Sequence, residues 1–157
     1  MECLVIIALF VISIYTGLMI YYTKEIPESI SRTVFLLPKA GKWVFSLVMW
    51  IVAFLLAPTL FEISCANSRF LAFFALAGIL GVGASPIVAN DKNTFHYVCA
   101  IVSGVTSQLL VYWNNPHLLL LWFLYVGYTL AAKDGRKNFF WVEVACMLTV
   151  FAYCIIS

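Results

Sequence analysis

The chain is a succession of apolar runs, each about as long as a membrane is thick. The first, "CLVIIALFVISIYTGLMIYY" at residues 3–22, has no Asp, Glu, Lys or Arg. A helix needs roughly 20 apolar residues to cross a ~30 Å hydrocarbon core, and ~17 suffice. Five further segments meet that length: 43–61, 70–88, 95–112, 116–132 and 139–156. Backbone polar groups find no partner in lipid, so each span is expected to be α-helical. Composition closes off the soluble reading: 64% of the 157 residues are hydrophobic and 10% charged, where soluble domains carry roughly 25% charged residues. One core of this size cannot hide so much apolar surface. The expected fold is an all-α membrane protein over 1–157, a single polytopic domain of six transmembrane helices.

Local signals fit those limits. A signal peptide wants a basic start, a short apolar stretch and a small-residue cleavage site. The first run instead begins at Glu2 and ends in Tyr21-Tyr22, so it reads as a retained helix. Asn115-Pro116 makes a good helix start, with Asn as cap and Pro at the first position. Asp134-Gly135 breaks the chain after the fifth run, and Asn138 can cap the sixth. Pro58 and Pro86 fall near the ends of the second and third runs, where membranes tolerate kinks.

Charge sets the orientation. Lys24, Arg32, Lys39, Lys42, Lys92, Lys133, Arg136 and Lys137 all lie in the loops after the first, third and fifth runs. Arg69 is the one basic residue on the other side. By the positive-inside rule the basic loops are cytoplasmic and both termini extracytoplasmic. The expected location is the plasma (inner) membrane. Within the first loop, Ile26, Ile30, Val34 and Leu37 recur at helical spacing. Pro27 suits a first turn, Pro38 and Gly41 an end, and Glu28 and Arg32 an i,i+4 pair. The pattern predicts a short amphipathic helix on the cytoplasmic membrane surface.

Ala77, Gly81, Ser85 and Ala89 form a stripe of small residues in the third run, and Ala100, Gly104 and Gln108 a similar stripe in the fourth. Small residues let membrane helices approach closely, so these two should pack together. Ser103, Thr106, Ser107 and Gln108 in the fourth run admit two readings. They either line a polar pocket or pore, or they bond backbone and neighbouring helices. Gln108 in particular must find partners, because an amide in lipid is costly without them.

Ionisable residues inside a membrane helix are functional candidates by default. Glu143 sits in the apolar run "NFFWVEVACML", only ~6 Å beyond Phe139 at ~1.5 Å rise per residue. Trp141 before it suits the interfacial belt, and the helix start favours an anion. Glu143 is therefore either a site residue or an interfacial carboxylate. Asp91, His96, Glu25, Glu28 and Asp134 lie at the same side. His96, Asp91, Glu143 and Glu28 thus have a chance to meet at one cytoplasmic mouth, His96 as proton carrier and a carboxylate to orient it. The alternative for His96 is a capping or interfacial role.

Other chemistries are restricted. His96 and His117 are the only histidines and fall on opposite faces, which excludes a three-His zinc site; no metal site is expected. There is no P-loop, nucleophile elbow or dinucleotide fingerprint, no cofactor is implied, and no basic face suggests nucleic acid. The cysteines are Cys3, Cys65, Cys99, Cys146 and Cys154, without a CxxC. Cys3 and Cys65 lie near the outer face, where a disulfide can form. Glu62 and Arg69 bracket an outer loop and can pair.

"ESIS" before "KWVF", followed by "DKNTFHYVCA", resembles the DRAM-type group of small six-helix membrane proteins. The matching positions are Ser29 to Ser31, Phe45, Asp91, His96 and Ala100, and the likeness covers about a third of the chain. The resemblance implies a lipid-associated role without defined catalysis, and places these loops outside the cytosol, opposite to the charge rule. Three functional expectations result. The first is a lipid-interacting multi-pass protein with a polar pocket near the cytoplasmic face, built from His96, Asp91 and Glu143. The second is a subunit of an oligomeric channel or transporter, with Ser103, Ser107 and Gln108 facing a path. The third is a non-catalytic assembly partner that packs as a homo-oligomer or on another membrane protein.

Overall fold

The computed structural model describes residues 2–88, 94–132 and 138–157. Ala89, Asp91, Lys92, Lys133, the Asp134-Gly135 pair, Arg136, Lys137 and the capping side chain of Asn138 fall outside what is described. Among the described residues the chain is all-helical, with six α-helices and no strand. They are α1 (Glu2–Thr23), α2 (Lys39–Ile63), α3 (Arg69–Val88), α4 (Thr94–Asn114), α5 (Trp122–Ala132) and α6 (Asn138–Ile156). Short 3-10 turns occupy Ser31–Phe35, Ala66–Ser68 and Pro116–Leu121.

Five helical segments are long and apolar enough to cross a membrane: α1, α2, α3 with its preceding 3-10 turn, α4 and α6. Their outer faces carry large apolar side chains, with Phe10 64%, Phe54 68% and Phe73 57% exposed. Soluble surfaces rarely carry contiguous apolar patches beyond a few hundred Å², so a membrane is the fitting solvent. The fifth segment is not the continuous α-helix expected over 116–132. Pro116 has no N–H to donate, and Leu118 N–H bonds Asn115 O at 3.2 Å, which sets a tighter i→i+3 turn. Asn115 makes no side-chain cap bond there.

Packing is most extensive between α3 and α4, then between α2 and α3 and between α1 and α2; α6 touches α4, α1 and α5. The α3 backbone comes up against the α4 backbone at Gly78. A Cβ there would lie 2.6 Å from Ser103 Cβ and 2.7 Å from Cys99 O. Gly81 is similarly filled by Cys99. Ser103 Oγ then donates across the seam to Ala75 O at 3.0 Å. Gly104 differs from expectation: a Cβ there meets nothing within 4 Å, because the contact runs through the Cys99–Ser103 face of α4. Gly83 leaves room for the Trp50 indole, whose Nε1–H reaches Leu80 O at 3.2 Å.

The first loop is also not the surface helix expected. Lys24, at φ 58°, turns the chain off the end of α1. The segment from 25 to 37 then forms a strap across this end of the bundle. Only Ser31–Phe35 is helical, as a 3-10 turn. Ile30 and Val34 do share a face, but it is buried in the bundle core rather than laid on a membrane surface. Gly41 does not end a helix; it lies within α2, whose N-cap is Pro38.

Candidate functional site

The strap owes its shape to Glu143. The Glu143 carboxylate, in the second turn of α6, accepts four hydrogen bonds from three consecutive strap residues. Oε2 takes the backbone N–H of Ile30 at 2.5 Å and of Ser31 at 3.1 Å. Oε1 takes the hydroxyls of Ser29 at 2.7 Å and Ser31 at 2.5 Å. A carboxylate that caps the start of a helical turn normally comes from the turn itself. Here it comes from 112 residues away, and its charge strengthens each bond. Ser29 and Ile30 are buried, so these donors have no water to fall back on.

A second anchor lies in the middle of the strap. Thr33 Oγ1 is 2.6 Å from Ile30 O and 2.6 Å from the Tyr15 hydroxyl of α1. The threonine proton goes to the carbonyl, so Tyr15 is the donor to Thr33.

The third anchor is His96. It is fully buried at the start of α4, with Phe35 edge-on at 5.3 Å between ring centroids and Phe45 at 6.4 Å. Its Nδ1 is 2.9 Å from Ser85 Oγ. Pro86 explains the serine. A proline has no N–H, so the Val82 carbonyl loses its helical partner, and the Ser85 hydroxyl donates to it at 2.7 Å. That uses the only hydroxyl proton, so His96 donates through Nδ1–H and Nε2 carries the lone pair. Nε2 is buried without a hydrogen-bond partner among the described residues.

The sequence candidates thus separate into two groups. Glu143 and His96 do not hydrogen-bond each other; they hold opposite ends of one 3-10 turn, ~8 Å long at ~2 Å rise per residue. Glu28, expected beside them, is exposed and pairs with Arg32 at 2.6 Å. That is the only ion pair among the described residues, so Glu62 and Arg69 do not form one. Asp91 lies outside the described residues. Ser85, expected only as a packing residue, is the partner of His96.

The polar residues of α4 bond within the bundle. Ser107 donates to Gly104 O at 2.9 Å and Thr106 to Val102 O at 2.6 Å. Gln108 joins three segments: Oε1 faces Trp122 Nε1–H and the Thr149 hydroxyl, both at 2.9 Å, and Nε2 reaches Cys146 O at 3.3 Å. All five cysteines are free thiols, and no cluster of metal-ligating side chains exists among the described residues.

Outside the strap lies a cavity of about 300 Å³, lined by Thr23, Glu25, Pro27, Glu28, Ser29, Arg32, Thr33, Phe35 and Leu36. Sequence reasoning named Glu25, Glu28 and Arg32 in this loop but not the cavity they share. The signal available was a loop holding one arginine and two carboxylates between two apolar helices. Of the positions in the DRAM-type resemblance, Ser29 to Ser31 belong to the strap, His96 packs against Phe35 and Phe45, Ala100 lies in α4, and Asp91 falls outside the described residues. No family model, curated protein or solved structure matches the chain.

Proposed function

We propose that this is a lipid-interacting multi-pass membrane protein whose polar recess, at the strap end of the bundle, takes up a lipid headgroup. The observation that carries the reading is the 300 Å³ cavity with a charged lining, set at the end of a bundle whose flanks are apolar. Glu143 and His96 are positioning residues in this account. Glu143 has its four acceptor bonds filled and His96 is sealed from solvent, so neither is free to act on a substrate. Both instead fix the strap that forms the cavity wall.

The proposed membrane arrangement has six crossings, with α5 and its 3-10 lead-in as the shortest. Together they reach ~28 Å, close to the ~30 Å core. The eight-to-one division of Lys and Arg supports basic loops in the cytosol and both termini outside. We assign the protein to the plasma (inner) membrane, with the strap at its cytoplasmic face. The channel reading has less support, because Ser103, Ser107 and Gln108 already spend their protons on bonds inside the bundle.

The test is ligand-dependent stability. A lipid that binds only the folded chain raises its midpoint by mass action, ~2.7 kcal/mol at a hundredfold excess over Kd. Thermal unfolding of delipidated protein in mild detergent should rise on adding phospholipid, and Arg32→Ala should weaken the rise. A midpoint unmoved by any phospholipid refutes the reading.

A further inference from the structure

The recess has an uneven charge inventory. Its hydroxyls are already committed. Ser29 Oγ–H is given to Glu143, Thr33 Oγ1–H to Ile30 O, and Thr23 Oγ1 lies 2.8 Å from Met19 O and 2.7 Å from Glu25 O. Among the described residues that line it, what remains open to a ligand is one guanidinium, Arg32, and two carboxylates, Glu25 and Glu28. Arg32 has five N–H donors in a planar fork, and its bond to Glu28 comes from Nη1 alone. The pair is exposed, 42% for Arg32 and 64% for Glu28, and an exposed ion pair contributes only ~0–1 kcal/mol. A ligand can therefore enter it at little cost. Phe35 and Leu36, 40% and 54% exposed, line the same recess and offer apolar contact beside the charges.

Resting on the lipid reading above, we infer that the recess is selective for a phosphoethanolamine headgroup, the phosphate held by Arg32 and the ammonium by Glu25 and Glu28. The charges decide among headgroups. Among the described lining residues, one cation and two anions match a group with one phosphate and one ammonium. A serine headgroup adds a second anion, for which the described lining residues offer no second cation. A glycerol headgroup brings no cation to them. A choline headgroup carries the charge but has no N–H to donate, and among the described lining residues there is a single aromatic, Phe35, where quaternary ammonium sites rely on several. Free phosphoethanolamine shares the chemistry but lacks the acyl chains that Phe35 and Leu36 would contact.

Native mass spectrometry of the delipidated 157-residue chain in mild detergent tests the inference. The probes are matched-acyl phosphatidylethanolamine, -choline, -glycerol and -serine, with soluble phosphoethanolamine as the chain-free arm. Phosphatidylethanolamine should bind roughly five- to tenfold more tightly than the other three, the scale of one or two contacts near a surface. The double variant Glu25→Gln/Glu28→Gln should lose that preference, its affinity for phosphatidylethanolamine falling to that for the other lipids, while its unfolding midpoint stays unchanged, since both side chains are exposed. Arg32→Ala should weaken all four lipids together. Soluble phosphoethanolamine should bind more weakly than the lipid. Equal affinity for all four lipids, or a preference that survives the double variant, overturns the selectivity and leaves the lipid reading standing. Failure of every phospholipid to bind overturns both, and soluble phosphoethanolamine binding as well as the lipid shows a free metabolite site instead.

Discussion

Replacing Glu143 separates what a charge does from what an acceptor does. In Glu143→Gln, the amide oxygen can take over the backbone N–H groups of Ile30 and Ser31. The new NH2 then faces the Ser29 and Ser31 hydroxyls, which can turn and accept. What is lost is charge assistance, about half the strength of such bonds, so the strap weakens by ~1–2 kcal/mol. Glu143→Leu is different. It fills a similar volume but offers no acceptor, and two backbone N–H groups cannot rotate away. Each buried donor left unpaired costs ~1–3 kcal/mol, or ~2–6 kcal/mol together. Hydrogen exchange at the Ile30 and Ser31 amides reads this directly, because local opening is measured where it occurs. At 1.4 kcal/mol per tenfold, Gln should speed exchange about 5- to 30-fold, and Leu at least ~30-fold, with the whole strap losing protection. Strap protection unchanged in Glu143→Leu, or Gln as damaging as Leu, would refute the reasoning.

Three further predictions concern the bundle. Gly78→Ala should cost ~1–3 kcal/mol because its Cβ meets α4 backbone, whereas Gly104→Ala, facing open space, should be neutral or stabilise by ~0.5–1 kcal/mol; thermal unfolding in detergent ranks them. Gln108→Leu removes the acceptor of Trp122 Nε1–H and should destabilise by ~1–3 kcal/mol, with a shift in Trp emission that a mere packing defect far from Trp122 would not give. For topology, in a chain with its native cysteines replaced, Glu62→Cys should react with a membrane-impermeant maleimide on intact cells and Lys39→Cys only after lysis; the opposite pattern reverses the orientation and supports the loop placement implied by the DRAM-type resemblance.

Helices were readable because length and hydropathy act locally. Apolar runs with at most one charged residue have few ways to satisfy their backbone in lipid, so each run is helical, the fifth with a 3-10 opening. Asn115-Pro116 likewise marks a helical start, although the missing proline N–H favours a 3-10 opening over an α turn. The strap shows where local reading stops. Ile26, Ile30, Val34 and Leu37 have helical spacing, but that spacing also suits a segment pressed into a core. The choice between the two is made by Glu143, from the far end of the chain. Glu143 was visible as a candidate and Ser29 to Ser31 as a motif, yet nothing in the sequence joins them. The Ser85–His96 bond was hidden for a related reason: Ser85 read as a small packing residue, and its role follows from Pro86 leaving Val82 O without a partner. In α3, the stripe of Ala77, Gly81 and Ser85 marks the face toward α4, where Gly81 meets Cys99, while the backbone approach at Gly78 lies one residue off it.

The central claim is that the strap recess holds a lipid headgroup, and photocrosslinking tests it most directly. Phosphatidylethanolamine bearing a photoreactive group in its headgroup should label the protein in reconstituted membranes, and peptide mapping should place the label on residues 23–36. Glu143→Leu, which releases the strap, should abolish that labelling while background labelling of the apolar helix faces persists. Labelling spread over the bundle exterior with none on residues 23–36, or strap labelling indifferent to Glu143→Leu, would contradict the account.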